Sequence, residues 1–189
     1  GVPPYIGRPR PEAGPKDVVV KMKACGICGS DLSYIKVGGM PREPGGTTAL
    51  GHEGAGEVLS VGSKVTGIKV GQPVIVNPMN TPSFIGSGGP EGAFTEQLLV
   101  REACLGENLL PIPDDLPFEI AAMTEPLAVG LEHARRGQPT TNDVALVLGC
   151  GAIGLGVIIG LKLMGMGPIV AADFHESRRD IALKMGADI

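Results

Sequence analysis

The sequence predicts two fold classes in series: a mainly-β domain, then the opening of an α/β domain built on a parallel sheet. Three observations carry this. Up to about residue 114, short alternating apolar runs are separated by Gly- and Pro-rich turns. From Val144 onward the order becomes strand, helix, strand, helix. Between the first strand and first helix of that second part stands GCGAIG, with Gly149, Gly151 and Gly154 in G-x-G-x-x-G register.

Taken in order, DVVVKMKA alternates, with Val18, Val20, Met22 and Ala24 on one face, as a half-buried strand does. AGEVLSV, a Gly62-Ser63 turn and KVTGIKVGQPVIV read as further short strands, and GAFTEQLLV alternates again. MPREPGGTT and NPMNTPSFIGSGGPEG are loops by composition. In DDLPFEIAAMTEPLAVGLEHARRG the spacing turns helical, with Pro126 suited to a first helical turn and Gly137 to the end. VALVLG is a continuous apolar strand of the kind buried in a parallel sheet. A helix-like apolar run, the strand PIVAAD and the helix SRRDIALKMG follow, and ADI opens a third strand.

The boundary is expected near residue 139, giving domains over 1–138 and 139–189. The second, at roughly 50 residues, is far below an ordinary domain. It supplies two strands where a complete doubly wound sheet has about six. A truncated α/β domain, in a fragment of a longer protein, is the expectation. The start at Gly1 rather than Met fits a missing leading segment.

Composition narrows the classes. A chain of 189 residues buries a real core, and its formal charge of −4 argues against a nucleic-acid partner. The short basic pair Arg135-Arg136 reads as a solvated helix end, and His133 and His175 as surface residues. Four scattered cysteines, 25, 28, 104 and 150, do not make a disulfide framework, so a reducing, cytoplasmic setting is expected. No stretch reaches the roughly 18 apolar residues of a membrane span, and no signal peptide is seen at the N-terminus.

The GCGAIG turn has the context a dinucleotide site needs. It follows a strand and opens a helix, and Asp173 ends the next strand. Gly149 allows the tight turn, Gly151 lets the backbone approach a pyrophosphate, and Gly154 lets helix and strand pack closely. Ala152 and Ile153 begin the helix whose N-terminus attracts phosphate charge. Asp173 would accept hydrogen bonds from the adenosine ribose and repel a 2′-phosphate, which favours NAD. Arg178 and Arg179 lie near enough to keep NADP as the alternative.

CGICGSDL, from Cys25 to Leu32, poses the second question. A four-cysteine zinc site needs a second Cys pair, which Cys104 and Cys150 do not supply. The context is not that of a thioredoxin-like redox pair. A catalytic zinc needs three protein ligands and an open position. Cys28, His52 in GHEGAGEV, and Glu125, with Glu53 as an alternative to it, would form such a site. Plainer roles stand beside these: Cys28 and His52 as core residues, Glu125 as a helix cap, Ser30 as a turn hydroxyl.

Together, GICGSD, GHEGAGEV, TEPL and VLGCGAIGLG resemble the zinc-dependent medium-chain alcohol and polyol dehydrogenases, sorbitol dehydrogenase-like members included, over nearly the whole chain. The resemblance implies a GroES-like catalytic domain followed by a Rossmann NAD(P)-binding domain. It implies that Cys28 and His52 hold a catalytic zinc, that Glu53 binds or releases the metal during turnover, and that Glu125 is the carboxylate of polyol-type members. It gives Ser30 the role of passing the alcohol proton outward and makes Asp31 an acid close behind the site. The activity implied is hydride transfer between a secondary alcohol or polyol and NAD, in a homodimer or homotetramer without nucleic-acid or membrane partners.

Three departures qualify the match. The loop after PVIV has no cysteine, so one catalytic zinc and no structural zinc is expected. Leu32-Ser33-Tyr34 stands where many relatives have a relay His, and Gly71-Gln72-Pro73-Val74 replaces a Gly-Asp-Arg-Val turn. The competing readings are a zinc-free NADPH-dependent quinone or enone reductase of the same superfamily, and a non-catalytic descendant of the fold. The first usually lacks the Cys and His ligands, and the second would have lost one.

Overall fold

The computed structural model describes residues 10–40 and 46–189. The loop expected at MPREPGGTT falls partly, at 41–45, outside the described residues. Contacts divide the chain into two compact units, one ending at Met123 and one beginning at Thr124.

The first unit is an antiparallel sheet with strand order β4-β1-β2-β3-β5. Its strands are β1 (Val18–Gly26), β2 (Glu53–Val61), β3 (Pro73–Val76), β4 (Gln97–Val100) and β5 (Leu109–Pro111). Val18, Val20, Val58, Val74, Val76, Leu98 and Val100 build one core, with Ile85 from the loop after β3. β-Branched side chains suit these pleated, half-buried positions. Each such residue, fully buried, stabilises the fold by about 1.5–3 kcal/mol. Ala55 and Ile75 form a second cluster with Ala121 and Ala122, at the end of the short helix α2 (Phe118–Ala121).

Several expectations shift here. Val19 is buried along with Val18 and Val20, because irregularities in the β1–β2 register interrupt strict alternation. The stretch KVTGIKVGQPVIV supplies only β3, and GAFTEQLLV only β4; turns and bends take the remainder. A helix α1 (Gly29–Val37) follows directly on Cys28.

The second unit contains α3 (Thr124–Arg136), β6 (Ala145–Leu148), α4 (Ala152–Leu163), β7 (Ile169–Ala172) and α5 (Glu176–Met185). β6 and β7 pair in parallel, Ala145 opposite Ile169 through Leu148 opposite Ala172. Val147, Ile158, Leu161, Ile169 and Ala182 form the core. Leu146 and Leu148 are exposed, so VALVLG is buried on one face only within this unit, the face carrying Val147. The ADI segment runs beside β7, with Asp188 N–H donating to Ile169 O at 2.8 Å and Ala171 N–H to Ile189 O at 2.7 Å.

The expected change near residue 139 falls after α3, whereas the compact units part before it. The cause is packing: α3 lies against α4, with Gly130 facing the backbone of Gly156. Among the described residues no helix is long and apolar enough to cross a membrane.

Candidate functional site

Cys28 is the N-cap of α1, Glu53 opens β2, and His52 immediately precedes that strand. One donor atom from each lies within 4.8 Å of the others. His52 and Glu53 are buried and Cys28 half-buried. The segments that carry them are tied by Asp31, itself only 1% exposed. Its Oδ2 accepts from Cys28 N–H and its Oδ1 from Gly51 N–H, each at 2.9 Å. The first bond is half of a capping arrangement at the start of α1. His52 Nδ1 is 3.9 Å from Asp31 Oδ1 and makes no hydrogen bond, although it is buried.

These residues fit a zinc ion. Thiolate, imidazole and carboxylate are its usual donors, and a buried unpartnered ring nitrogen beside a carboxylate is the setting of a metal-binding histidine. Cys25 is not among the three clustered donors. Burial pushes its thiol up to about 12, opposed by a hydrogen bond from the Glu53 backbone and reinforced by the charges of Asp31 and Glu53. The thiol therefore stays protonated near neutrality.

Ser30 sits half-buried in the first turn of α1, between Cys28 and Asp31. Past it, Ser33 spends its hydroxyl on Gly29 O at 3.0 Å, and Leu32 is exposed. Glu125 lies in the second unit, in the first turn of α3. The described residues brought together as a donor group are Cys28, His52 and Glu53.

The loop after β3 backs the His52 segment. Ala93 N–H donates to Gly51 O at 2.7 Å, Phe94 N–H to Leu50 O at 3.1 Å, and Ala49 N–H to Gly89 O at 3.3 Å. Asn108, 2% exposed, clasps the base of this loop. Its Oδ1 accepts from Cys104 N–H at 2.8 Å, and its Nδ2 donates to Asn80 O at 3.2 Å and Glu102 O at 3.0 Å. No motif in the sequence marks Asn108; its role depends on three backbone groups that only folding brings together.

In the second unit the glycine turn has the expected form. Gly149 has φ +93°, a conformation that only Gly adopts freely. Gly151 is the N-cap of α4, which starts with Ala152 and Ile153. A side chain at Gly154 would run into Gly149 O. Asp173 Oδ2 accepts from Cys150 N–H and Oδ1 from His175 N–H, both at 2.9 Å. These bonds, with Arg178 Nη1 at 3.6 Å, hold its carboxyl below the usual range. Burial, together with the charge of Asp173, raises the thiol of Cys150 inside the turn.

A family model described as "Alcohol dehydrogenase GroES-like domain" matches residues 14–114. The chain is 37% identical to (R,R)-butanediol dehydrogenase of Bacillus subtilis, over 98% of this chain and 58% of that protein. It is 33% identical to sorbitol dehydrogenase of the same organism, over 95% of this chain and 55% of the relative. The crystal structure of Bacillus subtilis 2R,3R-butanediol dehydrogenase superposes with TM-score 0.82 at 35% identity, covering 96% of this chain and 58% of that one. The chain belongs to the zinc-dependent medium-chain alcohol and polyol dehydrogenase family, with a GroES-like domain followed by the start of a Rossmann domain. It spans a little over half the length of these relatives.

Proposed function

We propose that the protein is a zinc- and NAD-dependent oxidoreductase that transfers a hydride between a secondary alcohol or polyol and the nicotinamide. The observation that carries this is the thiolate, imidazole and carboxylate of Cys28, His52 and Glu53 within 4.8 Å of one another. Zinc, when bound, supplies Lewis acidity toward an alcohol oxygen. Cys28, His52 and Glu53 hold it, and Asp31 fixes Cys28 and the His52 segment. Ser30 takes the hydroxyl proton and passes it outward. Glu125 is a further ligand on the strength of the sequence alone.

The second unit binds the dinucleotide. The amides of the Gly149–Gly154 turn and the N-terminus of α4 receive the pyrophosphate. Asp173 accepts from the adenosine ribose, which favours NAD, and Arg178 beside it leaves room for NADP. Relatives named butanediol and sorbitol dehydrogenase support a small vicinal diol or polyol as substrate. The loop after β3 carries no cysteine, so the complement is one catalytic zinc without a structural one. A cytoplasmic homo-oligomer, dimer or tetramer, without nucleic-acid or membrane partners completes the reading.

The test is NAD reduction by 2,3-butanediol and by sorbitol, before and after dialysis against a chelator. Turnover lost on chelation and restored by zinc supports the assignment. Chelator-insensitive turnover, or NADPH-dependent enone reduction instead, sinks it.

A further inference from the structure

Gly26 and Glu53 face each other across β1 and β2, at the ends of the two strands. Glu53 folds over the glycine. A Cβ built on Gly26 would stand 3.1 Å from Glu53 Cδ, 3.2 Å from Glu53 Cβ, and on top of Oε2. The carboxylate thus occupies the space that any side chain at position 26 would fill. The same residue contributes an oxygen to the group formed with Cys28 and His52.

The backbone does not require glycine here. Gly26 is absent from the positive-φ glycines, and it continues an ordinary strand. The three atoms nearest an added methyl group all belong to Glu53: the movable carboxylate end, and the Cβ at 3.2 Å, which has to give by only a few tenths of an ångström. The contrast with Gly56 is instructive, because a Cβ there would run into the backbone of Lys21. A methyl at 26 would therefore displace the Glu53 carboxylate and leave the strand in place.

From this we infer that Gly26 is a positioning residue: its missing side chain gives the Glu53 carboxylate its place beside Cys28 and His52. The inference rests on those three residues holding a metal. It goes further in locating, on the neighbouring strand, the feature that fixes where the carboxylate lies.

The experiment is a zinc titration of the purified protein against a chromophoric chelator, on wild type, Cys28→Ser, Gly26→Ala, Glu53→Gln and the Gly26→Ala/Glu53→Gln double variant. Gly26→Ala should weaken zinc binding by roughly 10-fold or more, the range for groups that orient a ligand. The double variant should bind no more weakly than Glu53→Gln, since the carboxylate is already gone. The metal-free Gly26→Ala protein should unfold at the wild-type urea concentration. Wild-type affinity in Gly26→Ala, or losses that add in the double variant, overturn the inference while Cys28→Ser still abolishes binding. If wild type binds no zinc, or Cys28→Ser binds it unchanged, the metal site itself is refuted and the inference falls with it. Should Gly26→Ala fail to fold, Gly26→Ala/Glu53→Gly must fold, because the Glu53 atoms nearest the new methyl have been removed; failure of both shows that the strand itself needs glycine and overturns the inference.

Discussion

Asp31 and Gly51, twenty residues apart, are joined by one hydrogen bond, the Gly51 N–H donating to Oδ1 at 2.9 Å. Because Oδ2 simultaneously holds the Cys28 amide, a single buried carboxylate sets the distance between the two segments that carry the donor group. Asp31→Ala leaves two backbone donors without an acceptor. At about 1–3 kcal/mol each, the loss should be roughly 2–6 kcal/mol of stability, read by urea unfolding. Asp31→Asn keeps one acceptor oxygen and should lose about half as much. Equal stability of all three proteins would contradict the bridging role.

The α3–α4 contact makes a prediction of unusual sign. In an exposed helix interior, Gly→Ala stabilises by about 0.5–1 kcal/mol. At Gly130 the methyl would lie 2.5 Å from Gly156 C and 2.7 Å from its Cα, with backbone rather than a movable side chain in the way. Gly130→Ala should therefore destabilise, by about 1–3 kcal/mol or more. Gly137→Ala, where the nearest atom is Ala134 O at 3.4 Å, should change stability little. Thermal unfolding of the two variants decides, and a more stable Gly130→Ala would refute the close crossing.

Asn108→Ala should cost about 2–4 kcal/mol, since it removes three hydrogen bonds around a buried amide. Asn108→Asp keeps the Cys104 acceptor but turns two donors into a charge facing carbonyl oxygens, so it should be no better. Hydrogen exchange in residues 77–92 should rise in both. Unchanged protection there would show that the loop does not depend on this clasp.

Asp173 gives the pH dependence. Its carboxyl is held below the ordinary 3.8 mainly by the His175 and Cys150 amides, with Arg178 adding to them. The ionised form is thus favoured by folding. Its contribution is present above the unfolded value and is lost as pH falls through the depressed folded value. Asp173→Asn should therefore lower stability at neutral pH and make little difference well below about pH 4, which flattens the acid side of the stability profile. An acid limb identical to wild type would contradict the assignment.

The legibility of the sequence follows from the range of the interactions. VALVLG, PIVAAD and the glycine turn were readable because local pattern and turn chemistry agree over a few residues. Helix α1 was not: only Asp31 is buried on it, while Leu32, Ile35 and Val37 are exposed, so no apolar stripe marks it. Its one local sign is the Gly38-Gly39 ending, where Gly38 has φ +80°. Cys28 and His52 were legible by residue type and by resemblance. Gly26 and Asn108 were not, because their roles are set by cross-strand register and by backbone groups distant in sequence. The burial of VALVLG on one face also depends on what packs against it, which the strand's own composition does not contain.

The most direct test of the central claim is zinc per chain by elemental analysis, on wild type and on Cys28→Ser. Wild type should hold about one zinc and Cys28→Ser little, as a site with three protein ligands loses its thiolate. No zinc in either, or zinc undiminished in Cys28→Ser, would contradict it.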